Sequence, residues 1–102
     1  MLSTKKLSGI KKKIDDGERL PVVFGALSDA RRYKMFKILY EHKGLCVTEM
    51  ARLFGVSVPA ASQQLKILER TGLISRAKTG QMICYAVVET DPLVKSILKT
   101  IK

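Results

Sequence analysis

The stretch from Cys46 to Val88 constrains the fold more than any other part of the sequence. Two segments with helical apolar periodicity meet at Gly55, a residue type that readily adopts the left-handed conformation required for a sharp turn after a helix. After Gly72 the apolar pattern changes to a period of two, which is typical of β-strands. This order predicts a mainly α-helical domain with a small two-stranded β-hairpin.

The rest of the chain divides into further helices. Apolar residues at helical spacing predict helices over residues 20–27, 30–42, 46–54, 57–70 and 91–102, and alternation predicts strands over 73–78 and 82–88. Ser28-Asp29 and Ser57 are expected N-caps, Cys46 and Glu49 have the spacing of a capping box, and Asp91-Pro92 opens the last helix. In the helix over 57–70, the residues predicted to face inward are Val58, Ala61, Leu65 and Leu68.

Residues 1–19 form a basic segment ahead of the domain predicted for residues 20–102. Leu7, Ile10 and Ile14 recur at helical spacing, and Asp15-Asp16-Gly17 interrupts the pattern. The segment is either a short amphipathic helix or a frayed arm.

The charge balance favours a polyanionic partner. Nineteen Lys and Arg against nine Asp and Glu give a formal net charge of +10, which attracts phosphate polyanions or anionic membrane surfaces. The longest apolar run, residues 20–27, is far shorter than the roughly 20 residues that span a bilayer, and no signal peptide is visible. We therefore expect a cytoplasmic protein with no membrane role.

The sequence contains few of the residues and motifs that enzymes and metal sites need. His42 is the only histidine, and Cys46 and Cys84 are the only cysteines, too few for a disulfide framework or a zinc cluster. No Gly-x-Ser-x-Gly turn and no glycine-rich phosphate loop occur. We expect no enzymatic activity, no cofactor and no bound metal.

The segment from Ser57 to Arg70 has the properties of a helix that reads DNA. Its outward face is polar and nearly free of acidic residues, and a basic hairpin follows it, which is the winged helix-turn-helix arrangement. Glutamine suits adenine edges in the major groove, and cationic side chains suit phosphates. The candidate DNA-contacting residues are Ser57, Val58, Pro59, Ala60, Ser62, Gln63, Gln64, Lys66, Arg70, Arg76, Lys78, Thr79, Gly80 and Gln81.

Several motifs resemble those of the ArsR/SmtB winged-helix repressors. The segment FGALSDARR (24–32) is similar to the family's F-x-A-L-(A/S)-D-P-T-R opening, and LCVTEMA (45–51) is similar to L-C-V-C-E-L-A. SVPAASQQLKIL (57–68) resembles the recognition helix, and GLI (72–74) with GQMICY (80–85) resembles the wing.

The resemblance implies a homodimer, built from the first and last helices, that binds double-stranded DNA at a palindromic operator. It also implies repression relieved by a chemical signal, and the sequence does not identify this inducer as a small molecule or a redox change. The interface residues expected on these helices are Leu20, Val23, Phe24, Leu93, Val94, Ile97, Leu98 and Ile101.

The chain departs from the family at its metal sites. Thr48 stands where the Cys-Val-Cys site has its second thiolate, and residues 91–102 contain no histidine. Cys46 has two interpretations: a thiolate stabilised at a helix N-terminus and open to redox chemistry, or a small buried residue in place of a serine cap. Cys84 is expected to be structural and unpaired with Cys46. The alternative to DNA binding is a winged-helix module that binds protein or RNA through the same surface.

Overall fold

The computed structural model describes residues 1–15 and 17–101, and within them it has the predicted mainly helical architecture with one hairpin. Asp16, in the predicted interruption, and Lys102, expected at the end of the last helix, lie outside the described residues. No helix in the described part is long and apolar enough to cross a membrane. The elements are α1 (Thr4–Asp15), α2 (Arg19–Ser28), α3 (Ala30–Glu41), α4 (Val47–Phe54), α5 (Val58–Arg70), β1 (Ile74–Thr79), β2 (Met82–Val87) and α6 (Pro92–Ile101).

Local capping begins the helices where the sequence predicts. The Asp29 carboxylate accepts the N–H of Arg32 at 2.9 Å, and the Ser57 hydroxyl accepts the N–H of Ala60 at 3.2 Å. The Asp91 carboxylate likewise accepts the N–H of Leu93 at 2.9 Å ahead of α6. Each cap satisfies a backbone donor that the first helical turn leaves without an intrahelical partner.

Strands β1 and β2 form one antiparallel sheet, with a register running from Ile74 opposite Val87 to Thr79 opposite Met82. The inner end of this hairpin is buried, since Ile74, Tyr85 and Val87 are each no more than 8% exposed. The outer end carries its side chains in solvent. The hairpin is therefore anchored at its base and free at its tip.

The core centres on α3, whose Met35 and Phe36 have no exposed surface. Helices α2, α4, α5 and α6 and the hairpin each add apolar side chains to the same cluster. Helix α1 contributes none, since every residue in it is exposed, and the basic segment is thus helical over Thr4–Asp15 but outside the core there.

Arg19 joins three parts of the chain and begins α2. Its guanidinium forms an ion pair with Asp91 at 2.7 Å and donates to the carbonyl of Thr71 at 3.2 Å. Gly72 passes beneath it with φ of 81°, and a Cβ there would lie 2.9 Å from Nη2 of Arg19. Arg19 therefore belongs with the folded domain, although the sequence places it in the basic segment.

Two capping carboxylates make stability depend on pH. The hydrogen bond from Arg19 lowers the pKa of Asp91 below its ordinary 3.8, and the backbone N–H of Arg32 lowers the pKa of Asp29 in the same direction. A carboxyl with a lowered folded-state pKa stabilises the fold above its unfolded pKa, and this contribution is lost as the pH falls through the folded value. The free energy of unfolding should therefore decrease below about pH 4.

We expect Asp91→Asn to be less stable than the wild type at pH 6, with the difference shrinking towards pH 2.5 as the wild-type carboxyl becomes protonated. Urea unfolding across this range measures the effect. Glu41→Gln, which removes an exposed carboxylate from α3, should not reproduce the pattern. A difference for Asp91→Asn that is the same at every pH would contradict the role given to this ion pair.

Candidate nucleic-acid interface

The turn between α4 and α5 positions the polar helix. Gly55 has φ of 62° and ψ of 36°, the left-handed conformation expected from the sequence, and the N–H of Val56 closes the turn on the carbonyl of Ala51 at 3.0 Å. Helix α5 starts one residue after its cap, Ser57, with Pro59 in the first turn. The two helices and this turn form the helix-turn-helix unit.

Burial of one stripe determines which side chains α5 presents to solvent. Ala61, Leu65 and Leu68 are at most 1% exposed, as the spacing predicts, and they pack into the common core. Pro59, Gln63, Lys66 and Arg70 are consequently exposed, and Ser62 and Ala60 are half-buried. Val58 was expected to face inward, but it lies in the first turn with 43% exposure and joins the outward surface.

Arg32 of α3 attaches α5 to the rest of the domain. Its Nε donates to the carbonyl of Ala26 at 2.8 Å, and its Nη1 donates to the side-chain oxygen of Gln64 at 2.9 Å. The side chain is only 17% exposed, so these bonds form largely out of water. Gln64 was expected to read base edges. The structure instead commits its oxygen to Arg32, and we revise its role to positioning α5.

The hairpin, which we call the wing (residues 74–87), projects its basic tip into solvent. Arg76, Lys78, Thr79, Gly80 and Gln81 are all exposed, and Gly80 makes the turn with φ of 63°. Arg76 also pairs with Glu69 of α5 at 3.4 Å. This ion pair links the wing to α5 and neutralises Glu69, the one acidic residue within residues 57–81.

The surface formed by α5 and the wing retains positive charge towards solvent. Among the ion pairs found in residues 1–15 and 17–101, Arg76 is engaged, whereas Lys66, Arg70 and Lys78 are not. All three of these side chains are exposed. The arrangement places hydrogen-bonding groups on one helix and cations around them, which suits a phosphate-bearing ligand.

The wing is also joined to the start of α4, and here the sequence prediction is wrong. Cys46 and Cys84 form a disulfide across a separation of 38 residues, with Cα atoms 3.7 Å apart. Neither cysteine is therefore free, and Cys46 is neither a lone redox thiol nor a plain serine substitute. The expected Glu49 half of the capping box is present, with its carboxylate accepting the N–H of Cys46 at 2.9 Å.

The residues expected at a dimer interface separate into two groups. Leu20 and Phe24 are exposed, and Leu93, Ile97 and Ile101 are half-buried. Val23, Val94 and Leu98 are at most 6% exposed because they fill the core of their own chain. The prediction that these three contact a partner needs correction, since the fold already covers them.

Sequence reasoning missed Arg32 as a positioning residue. It lies inside the quoted 24–32 motif, but its bond to Gln64 spans 32 residues and no local period encodes it. Its place in that motif was the only available signal.

Comparison with known proteins agrees with this geometry. A family model described as bacterial regulatory protein, arsR family, matches residues 29–76. An HTH-type transcriptional regulator of Methanocaldococcus jannaschii is 30% identical over 84 residues, covering 82% of this chain and 92% of that protein. A cadmium resistance transcriptional regulatory protein CadC homolog of Staphylococcus aureus is 32% identical over 77 residues, covering 76% of this chain and 62% of that protein.

Among solved structures, a homodimeric winged helix-turn-helix DNA-binding domain from Mycobacterium bovis matches with a TM-score of 0.71 and 20% identity, over 99% of this chain and 84% of that one. Fold and surface together define a winged helix-turn-helix domain. The chain belongs to the arsR family of bacterial regulatory proteins, which confirms the resemblance drawn from its motifs.

Replacing Arg32 tests its positioning role. Arg32→Ala removes charged donors from the Ala26 carbonyl and Gln64, and we expect it to lower the free energy of unfolding by about 1.5–3 kcal/mol in urea titrations. Arg31→Ala removes the same charge from an exposed neighbour on α3 and should change stability by less than about 0.5 kcal/mol. Equal losses in the two variants would show that the bonds of Arg32 do not hold α5.

Proposed function

We propose that this chain is a sequence-specific DNA-binding repressor that acts as a homodimer. The observation that carries the proposal is the outward face of α5, which is polar and nearly free of acid. It is flanked by three exposed cations that form no ion pair within residues 1–15 and 17–101, namely Lys66, Arg70 and Lys78. An α-helix fits the major groove, and its N-terminal residues are those that reach base edges.

Within this proposal α5 reads sequence. Gln63 is exposed one turn into the helix, where its amide can pair with an adenine edge, and Ser62 is beside it. Ser57, Val58, Pro59 and Ala60 form the end of the helix that enters the groove first. Lys66 and Arg70 lie further along and contact phosphates.

The wing contributes affinity rather than sequence preference. Arg76 and Lys78 are cationic, and Thr79, Gly80 and Gln81 present backbone and small polar groups at an exposed tip. Such groups contact phosphates and sugars, which position a protein on a duplex but carry no direct sequence information.

A protein-binding or RNA-binding module is the alternative function. Residues 57–81 contain no aromatic residue, whereas protein interfaces and single-stranded RNA sites both favour aromatic side chains. Competition by single-stranded RNA, measured against the same duplex, distinguishes the alternatives. We propose no enzymatic role, and the matched relatives are transcriptional regulators.

Two substitutions separate the roles of α5 and the wing. Gln63→Ala should cost about 1–3 kcal/mol on a duplex selected from a random library and little on random duplex, because it removes a base contact. Lys78→Ala should weaken both duplexes alike and lower the salt slope by about one unit, because it removes a phosphate contact. Titrations at several salt concentrations measure both effects.

Lys95→Ala is the matched control, since it removes an exposed charge from α6, which is part of neither α5 nor the wing, and should leave both affinities nearly unchanged. Equal loss on the two duplexes for Gln63→Ala would overturn its assignment to base reading. If neither Gln63→Ala nor Lys78→Ala alters affinity, DNA recognition by this surface is wrong.

The homodimer is supported by an apolar surface that one chain leaves uncovered. Eight of the eleven exposed large apolar residues in the described part of the chain lie within residues 1–24. Leu7, Ile10 and Ile14 lie on α1, and Leu20 and Phe24 lie on α2. A surface of this kind marks an interaction site. A two-fold dimer would match a palindromic operator, because each half-site meets one α5.

A charge at this surface should separate the protomers. Phe24 is 59% exposed, so Phe24→Asp should leave the monomer folded while shifting sedimentation from dimer to monomer at micromolar protein. Leu53→Asp is the matched control, because Leu53 on α4 is 60% exposed and lies outside the proposed interface. A Phe24→Asp protein that remains fully dimeric would refute this interface.

We propose that the protein acts in the cytoplasm and does not sense metal through the usual family sites. Thr48 replaces a thiolate ligand, and Cys46 is already joined to Cys84. Absence of tight zinc, cadmium or arsenite binding stays a prediction.

A further inference from the structure

We propose that Cys46 and Cys84 form a reversible thiol–disulfide site which, when oxidised, clamps the wing for DNA binding and, when reduced by a small-molecule thiol, releases it. The inference rests on the DNA-binding function proposed above. It concerns a pair of residues that the DNA surface itself does not use.

The disulfide joins the two DNA-facing parts of the domain. Cys46 is the N-cap of α4, the first helix of the helix-turn-helix unit, and Cys84 lies in the middle of β2, opposite Ala77. The two cysteines also form an isolated antiparallel bridge, and the N–H of Tyr85 donates to the carbonyl of Leu45 at 2.9 Å. One covalent bond and one backbone contact therefore connect the wing to the start of α4.

A small molecule can reach this bond from solvent. Both cysteines line a surface cavity of about 310 Å³, together with Gly44, Ser75, Ala77 and Thr79. Cys46 is 8% exposed and Cys84 is half-buried, so Cys84 is the more exposed residue of the pair. The cavity offers the approach that an attacking thiolate needs.

The exchange is balanced with glutathione as the small-molecule thiol. A glutathione thiolate attacks the sulfur of Cys84, and the bond breaks with Cys46 leaving as a thiolate, which the N-terminal end of α4 stabilises. A second glutathione attacks the mixed disulfide and releases Cys84. Two electrons pass to the protein, the two cysteines gain the two thiol protons, and oxidised glutathione leaves. Oxidised glutathione drives the reverse reaction.

A DNA-binding protein works in the compartment that holds the chromosome, and a disulfide formed there responds to changes in redox state. Thiol systems there keep most cysteines reduced, and disulfides that do form are usually transient or redox-sensing. A pair positioned between α4 and the wing can therefore report an oxidising change directly to the DNA surface.

Releasing the clamp affects the wing tip most. Tyr85 and Val87 keep the base of β2 in the core, whereas residues 76–82 are exposed along both strands and the turn. Without the disulfide, DNA must order this tip on binding, and ordering side chains and loops reduces affinity. We expect the reduced form to bind a selected duplex about tenfold more weakly, which corresponds to about 1.4 kcal/mol.

The test uses the full chain equilibrated with oxidised or reduced glutathione, with the cysteine state read by alkylation and mass spectrometry. Affinity for a duplex selected from a random library is then measured for each form. Oxidised protein should bind about tenfold tighter, and re-oxidation should restore the lost affinity. Cys84→Ser and Cys46→Ser should each bind like the reduced protein and ignore glutathione, with thermal unfolding confirming that both are folded.

A double-mutant cycle locates the effect. In a Lys78→Ala background the difference between the oxidised and reduced forms should shrink, because the clamp acts through contacts made by the wing tip. An undiminished difference would overturn the proposed route through the wing.

The remaining outcomes separate the two proposals. Equal affinity of oxidised and reduced protein would refute the clamp and leave the DNA-binding function intact. Failure of Cys46 and Cys84 to pair within one chain under oxidised glutathione would also refute it. No binding of any duplex by either form would overturn the proposed function itself.

Discussion

The burial of Ala61, Leu65 and Leu68 is the constraint on which the proposed DNA surface depends. These side chains fix the rotation of α5 about its own axis. Any other rotation would expose these apolar side chains to water and bury polar ones. Once that rotation is fixed, Gln63 and Lys66 face outward, and no additional contact is needed to orient them. The chemistry of the surface is thus a consequence of packing on the opposite side of the same helix.

Contacts between different elements of the fold then fix the positions of α5 and the wing relative to each other. Arg32 reaches α5 from α3, Arg76 pairs with Glu69, and Cys84 joins the wing to the start of α4. Each contact involves a polar or covalent partner rather than the apolar core. The core decides which faces are presented, and these contacts decide how α5 and the wing are placed relative to each other.

This division explains how much of the structure was predictable. Periodicity and capping chemistry act over a few residues, so the helices, the hairpin and the caps at Asp29, Ser57 and Asp91 follow from the sequence. Long-range pairing has no local signature, and for that reason the disulfide and the engagement of Gln64 were missed. The burial of Val23 likewise depends on the assembled core, which an apolar stripe read from one helix does not specify.

The orientation of α5 can be tested by NMR spectroscopy of side-chain amides during titration with a selected duplex. Gln63 and Gln64 are neighbours in sequence, but one amide is exposed and the other is bonded to Arg32. We expect the Gln63 side-chain NH₂ resonances to shift strongly on DNA binding while those of Gln64 move little. Large shifts at Gln64 with none at Gln63 would contradict the placement of α5 and the DNA surface derived from it.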